Sequence, residues 1–315
     1  RPCSVINSTS TEINCQLSPD SGAPVGIPLP VTVLVNNLGS AILIMPKEYD
    51  RRFVVLPVVD SVFPLVGSTT GQTRLSISGS GFSDGLIKVA GVPCNVVSID
   101  YSHVVCDTSP SEANRGSVVF YVNSISSSCS FDCTFQYSGS IAPNVSTVLP
   151  NSVSGNATTV VITGSGFGNE SADLMVSAAN ILLDVTEVTD SSITVLVGAL
   201  PAGTHVLKVV VMSKGLATGY ATLTSIAQAS ISPTLGSIAG GTPLIITGNG
   251  FVAGNTTVML ANSPCRILDV TPDTVRCITP PRTEGQVLVN IKVYDVVYPP
   301  QRFNYSKAQT PDITS

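Results

Sequence analysis

The chain has 315 residues, 43% of them hydrophobic and only 11% charged, with 15 Lys and Arg against 20 Asp and Glu for a net charge of −5 and a pI near 4.9. That balance leaves no basic footprint for a nucleic-acid backbone, and Arg51-Arg52, the one adjacent basic pair, reads as a solvated loop. The longest apolar candidate, FVVLPVVDSVF, is broken by Pro57 and Asp60, so no 18-residue apolar stretch offers to span a bilayer and the expectation is a soluble chain without direct membrane insertion.

In chain order, RPCSVINSTSTEINCQLSP opens the sequence. Residues 1–57 read as the later part of a unit whose beginning lies upstream, so they would show an unpaired β edge and an uncovered apolar face. Residues 58–140 form the next unit, with an apolar strand running into a Pro and a Gly-rich turn (PVVDSVFPLVGSTTGQT), the strand LSISGSGF, then GVPCNVVSIDYSHVVCDTSP and GSVVFYVN. Residues 141–227 repeat the order as APNVSTVLPNSVSGNAT, VVITGSGF and THVLKVVVM, and residues 228–306 repeat it as QASISPTLGSIAGGTP, LIITGNGF, NSPCRILDVTPDTVRCITPP and GQVLVNIKVYD. Residues 307–315, ending in TPDITS, read as the opening of a further unit. The phenylalanines that close the shared phrase, Phe82, Phe167 and Phe251, stand 85 and 84 residues apart, which is the mark of an internal repeat.

A Gly-x-Gly at a strand end invites a phosphate-loop reading. That reading needs a helix directly behind the glycines, and GNESADLMVSAANILLDVTEV holds no apolar stripe of helical period. The strands are β-branched, short and separated by turn residues. About seven of them per unit predict an all-β fold of tandem immunoglobulin-like sandwiches in an extended array, with very short linkers such as LTSIAQASISP. Gly79, Gly81, Gly164, Gly166, Gly248 and Gly250 are expected at positive φ or close backbone approach, with the three phenylalanines plugging the cores.

The order of opening Pro strand, Gly-x-Gly-Phe, Pro-Cys and then a Cys followed by Pro resembles the IPT/TIG domain, the early-set immunoglobulin-like module of plexins, of the hepatocyte growth-factor receptor, of fibrocystins and, without disulfides, of Rel-type transcription factors. The resemblance covers nearly the whole chain. Tandem units with no intervening cysteine-rich module look most like the ectodomain of fibrocystin or fibrocystin-L. The resemblance implies a non-enzymatic extracellular segment of a large single-pass receptor, serving as adhesion, surface-coat or spacer modules on ciliary or hair-bundle-type membranes. Its partners would be proteins or further copies of itself, in cis or trans. The alternative it implies is the ligand-binding stalk of a plexin or hepatocyte growth-factor-type receptor. A nuclear dimerisation module would need reduced cysteines and a basic loop.

Cys3 and Cys15, Cys94 and Cys106, and Cys265 and Cys277 are each twelve apart around turn-like sequence, so strands folding back would bring each pair within disulfide range. Residues 141–227 lack both members, with Asn180 standing at the first position and a residue near Val195 at the second. Cys129 and Cys133 would close a small loop in the last hairpin of their unit, leaving no odd thiol. Zinc spacing is absent, and His103 and His205 read as surface or edge-strand residues. Sequons begin at Asn7, Asn144, Asn156, Asn169, Asn255 and Asn304, in predicted turns or at strand ends where N-linked glycans can project. With the disulfides they point to the secretory pathway. Asp84, Asp100, Asp184 and Asp269 read as turn formers rather than calcium ligands. No nucleophile elbow or local triad appears, so neither a catalytic site nor a cofactor is expected. The strand THVLKVVVM offers either a lateral contact or ordinary core.

Overall fold

A computed structural model of the chain describes residues 3–17, 24–41, 52–155 and 157–311, apart from the side chain of Arg52. Two compact units are present, Arg1–Ala142 together with Met212–Leu216, and Pro143–Val211 together with Ala217–Ser315. Among the described residues the regular structure is strand and short 3-10 turn, with no α-helix.

Unit 1 is built around seven main strands: β1 (Val58–Phe63), β2 (Arg74–Ser80), β3 (Leu86–Val89), β4 (Val92–Ile99), β5 (His103–Thr108), β6 (Arg115–Val122) and β7 (Thr134–Ser138). Successive side chains of a strand face opposite ways. Val118, Phe120 and Val122 of β6 therefore enter the core, where they meet Leu75, Ile77, Val104, Phe135 and Tyr137. β1, β2, β5 and β4 pair antiparallel in that order, and β3 pairs with β6, which pairs with β7. β4 is long enough to join both layers. Its first residues, Val92–Cys94, pair with β3 and the remainder with β5.

Ahead of these strands, Ser4–Ser8 pairs with Ile13–Gln16, and Val5, Ile6 and Ile13 of that ribbon are exposed. Val25 bridges to Val55 and is buried in the core of the main sandwich. The segment Met212–Leu216 hydrogen-bonds to the turn before β2. Ser68 N donates to Lys214 O at 2.7 Å, Arg74 N to Met212 O at 2.7 Å, and Leu216 N to Gly71 O at 2.9 Å.

Unit 2 contains two sandwiches of the same plan. The first comprises β8 (Asn144–Leu149), β9 (Thr158–Ser165), β10 (Leu174–Ala178), β11 (Asp184–Thr189), β12 (Ser192–Val197), β13 (Gly203–Val211) and β14 (Thr222–Ser225). The second comprises β15 (Ala229–Ser232), β16 (Pro243–Gly248), β17 (Thr256–Leu260), β18 (Arg266–Val270), β19 (Thr274–Ile278), β20 (Gly285–Val293) and β21 (Gln301–Ser306). In each, one sheet runs first, second, fifth and fourth strand, and the other runs third, sixth and seventh, with a two- or three-residue strand paired in parallel to the last.

The strand THVLKVVVM resolves to core. In β13, Leu207, Val209 and Val211 point into the sandwich, Val210 is covered too, and Val206 is the exposed valine. The inward and outward faces of β12 differ just as sharply. Replacing buried Ile193 with Ala is expected to destabilise unit 2 by about 2–5 kcal/mol in urea titrations, whereas Leu196→Ala on the outer face should change it by about 0.5 kcal/mol or less.

Candidate functional site

The recurrent Gly-x-Gly-Phe phrase ends the second strand of each sandwich and is bolted to the turn of the hairpin that follows. Gly79 N donates to Ser102 O at 2.9 Å and Phe82 N to Tyr101 O at 3.1 Å. The same two bonds join Gly164 to Ser191 and Phe167 to Asp190, and again Gly248 to Asp273 and Phe251 to Pro272, at the same two distances. These two amides of each corner are consumed inside the protein and are not free to hold an anion.

The two glycines answer different constraints. A Cβ on Gly79, Gly164 or Gly248 would collide with the carbonyl oxygen of Val58, Asn144 or Gln228, and would come within 2.5–2.7 Å of the tip of the following phenylalanine ring. Gly81, Gly166 and Gly250 sit at φ of +76°, +78° and +68°, the left-handed region. Phe82, Phe167 and Phe251 are 3%, 1% and 3% exposed, and Phe82 packs edge-on against Phe120 with centroids 5.0 Å apart. The phrase is a bend that places a core aromatic.

All described cysteines are paired. Cys94 joins Cys106 and Cys265 joins Cys277, each with Cα atoms 5.7 Å apart, across the fourth and fifth strands; Cys3 joins Cys15 and Cys129 joins Cys133. The last pair does not lie within a hairpin. Ser128–Cys129 is a short strand that pairs in parallel with β1, and the bond forms where the chain leaves that sheet for β7.

In the cysteine-free repeat, Leu183, not Asn180, occupies the first cysteine's place. Leu183 N donates to Val176 O as Cys265 N donates to Val258 O, both at 2.9 Å. Asn180 lies three residues earlier, in the turn, at φ +62°. Leu183 and Val195 are both buried in the core, so two aliphatic side chains fill the volume of a disulfide.

Of the sequon asparagines, Asn7, Asn144, Asn169, Asn255 and Asn304 are exposed, and Asn156 lies outside the described residues. Asn304 is neither in a turn nor at a strand end. It occupies the middle of β21, paired with Gln286 on one side and Leu235 on the other, and faces outward. Of the histidines, His103 is a surface residue as expected, whereas His205 is half-buried, and neither is on an edge strand. His103 opens β5, and His205 lies on β13, both inner strands of their sheets. His103 is exposed beside Ser102, and the His205 ring contacts Pro201 O at 2.6 Å.

The aspartates divide. Asp84 lies in a bend, and Asp100 forms a turn, its carboxylate accepting from Ser102 N at 2.7 Å and His103 N at 2.8 Å. These amide bonds hold the Asp100 carboxyl below the ordinary aspartate range. Asp184 and Asp269 are strand residues on β11 and β18, where Asp269 follows a register shift. Arg51 lies outside the described residues. No cluster of three His, Cys, Asp or Glu able to hold a metal occurs among the described residues, and none of their helices is long and apolar enough to cross a membrane.

Residues 57–137, 143–225 and 229–305 each match the family described as the IPT/TIG domain. The chain is similar to fibrocystin-L of Homo sapiens, 44% identical over 98% of this chain, and to fibrocystin of Canis lupus familiaris, 26% identical over 84% of this chain. It spans 7% of the length of each of these relatives. A solved structure, the plexin A4 full extracellular region, aligns with 80% of this chain and 25% of its own, at 16% identity and a TM-score of 0.36.

The disulfides make two of the three repeats sensitive to reductant. Reduction is expected to speed hydrogen exchange across β4–β5 and β18–β19, consistent with the loss of about 3 kcal/mol from each loop, while β11–β12 stays unchanged; uniform acceleration of all three hairpins would contradict this. The Asp100 turn gives a pH signature. A depressed folded pKa stabilises above the unfolded value and the benefit is lost as pH falls through the folded one. The Ser102 and His103 amide shifts should therefore move together, with a midpoint below the ordinary aspartate range, and Asp100→Asn should abolish that transition.

Proposed function

From the premise that this chain belongs to the IPT/TIG domain family and carries three tandem copies, we propose that it serves as a non-enzymatic array of adhesion, surface-coat or spacer modules in a large receptor. It is an extracellular segment of the ectodomain type, like the fibrocystins it resembles. One observation carries the proposal: groups that a sequence reading would offer for anion binding, thiol chemistry or metal ligation are engaged in holding the fold. The corner amides bond to hairpin carbonyls, the described cysteines are paired, and the Asp100 carboxylate closes a turn. What remains outward includes the described sequon asparagines, Asn7, Asn144, Asn169, Asn255 and Asn304, and the polar faces of the sheets.

N-linked glycans at Asn7, Asn144, Asn156, Asn169, Asn255 and Asn304 are part of the same proposal. A glycan on Asn304 would stand on the outer face of β20 and β21, beside the exposed Leu235 and Leu288. It would keep that face from associating with another protein. The partners proposed are proteins or further copies of this chain, met in cis or trans through faces free of glycan.

Expression through a mammalian secretory pathway tests the reading. The secreted chain should show no reactive thiol by mass analysis and should lose mass on N-glycosidase treatment. Beads coated with it then separate the roles, since clustering marks trans self-association and its absence marks a spacer. A secreted chain that retains reactive thiols, or that carries no N-glycan, would overturn the proposal.

A further inference from the structure

The second and third repeats depart from the common pattern at two positions, and the two departures meet. The middle residue of the Gly-x-Gly corner is Ser80 and Ser165 in the first two repeats but Asn249 in the third. The last strand places Tyr137 and Tyr305 at one core position in the first and third repeats, where each hydroxyl donates to a carbonyl, Ser109 O at 3.1 Å and Pro280 O at 2.8 Å. In the second repeat the same place is held by Ser225, whose hydroxyl donates to Leu200 O at 3.1 Å. The shorter side chain keeps the bond and leaves space where a phenol ring stands in the other two.

Asn249 of the third repeat fills that space. It is fully buried, with no exposed surface. Its Nδ2 donates to Ser225 Oγ at 3.0 Å and to Ile226 O at 2.9 Å, and its Oδ1 accepts from Gln228 N at 2.9 Å. Its own carbonyl accepts from the Tyr298 hydroxyl of the third repeat at 2.6 Å. One side chain thus ties the last strand of one sandwich, the linker and the core of the next. A buried amide is costly to leave unpaired, and here both ends of the amide are paired.

The backbone agrees. Gly250, at φ +68°, lies so close to the loop Leu200–Ala202 that a Cβ would meet Leu200 O at 2.5 Å and Pro201 Cα at 2.6 Å. Ala202, although part of the second repeat, is buried in the core cluster of the third. Gly155 of the second repeat leaves room for Asn249, since a Cβ there would stand 2.8 Å from the Asn249 Cβ. The groove of about 640 Å³ beside this contact, lined in part by Ser154, Gln228, Asp273 and Pro299, is the outer rim of the same joint.

We infer that Asn249 and Ser225 form an inter-repeat latch that fixes the second and third repeats as one rigid double module. This goes beyond the proposed role and stands without it. A fixed joint transmits orientation and tension from one sandwich to the next, which a flexible tether cannot do.

Residual dipolar couplings on the full chain test the latch directly. In the wild type, amides of the second and third repeats should fit one alignment tensor. Asn249→Ser, which installs the residue of the other two corners, should require two tensors and accelerate exchange of the Gln228 amide about tenfold or more. Ser225→Ala tests the same pair from the second repeat while leaving the third repeat's own corner untouched, so it remains informative should Asn249→Ser unfold its sandwich. Separate tensors in the wild type would overturn the inference. So would a single tensor with unchanged Gln228 exchange in Ser225→Ala.

Discussion

Two backbone hydrogen bonds per repeat, from the first glycine and from the phenylalanine of Gly-x-Gly-Phe to adjacent carbonyls of a hairpin turn, set the terms for everything else in these sandwiches. They require the chain to bend within four residues, which is why the second glycine takes positive φ. They also press the first glycine against the opening strand so closely that no side chain fits. The phenylalanine is thereby aimed at the core, and the hairpin tip is held against the end of the second strand. A net bond of this kind contributes about 1 kcal/mol, but burying the aromatic ring it positions contributes more. The hydrogen bonds supply geometry and the ring supplies most of the energy.

Around that fixed point the repeats vary freely where the physics allows. A twelve-residue disulfide loop stabilises by about 3 kcal/mol, and full burial of an aliphatic side chain by about 1.5–3 kcal/mol. Leu183 and Val195 together can therefore offset the missing bond in the second repeat, and that repeat keeps the same hairpin. The exchange of Tyr for Ser225 works differently. It removes core volume from one repeat and returns it as a side chain from the next. Loss of a cross-link is compensated within the sandwich, whereas loss of a ring is compensated across the joint.

The fold was legible because its strongest constraints recur. Three copies of one phrase identified the corner, and equal cysteine spacing identified the paired hairpins. Asn180 was misplaced because the second repeat has no cysteine to anchor the register. The spacing of twelve counted back from Val195 lands on Leu183 and would have found it. Asp184 and Asp269 look like turn residues by type, yet lie in strands because a register shift beside each interrupts the alternation that marks a strand. Asn304 and His205 occupy strand positions whose outward faces tolerate polar groups, a freedom that residue type alone does not reveal. The Asn249 latch was visible only as two small departures from the repeat, Ser to Asn and Tyr to Ser. Nothing in a linear reading says that the two positions touch.

A bend that commits its first glycine and phenylalanine amides to a hairpin turn explains why strand-end glycines recur in every IPT/TIG repeat of this chain with no α-helix behind them. Site-resolved amide hydrogen exchange on the full chain measures that claim most directly. The amides of Gly79, Phe82, Gly164, Phe167, Gly248 and Phe251 should exchange as slowly as the central strands of their sheets, although each lies at or beyond the end of a strand. Exchange at the rate of open loops, or shifts of these amides when inorganic phosphate is added, would show that the corner is a free amide site and would contradict the account.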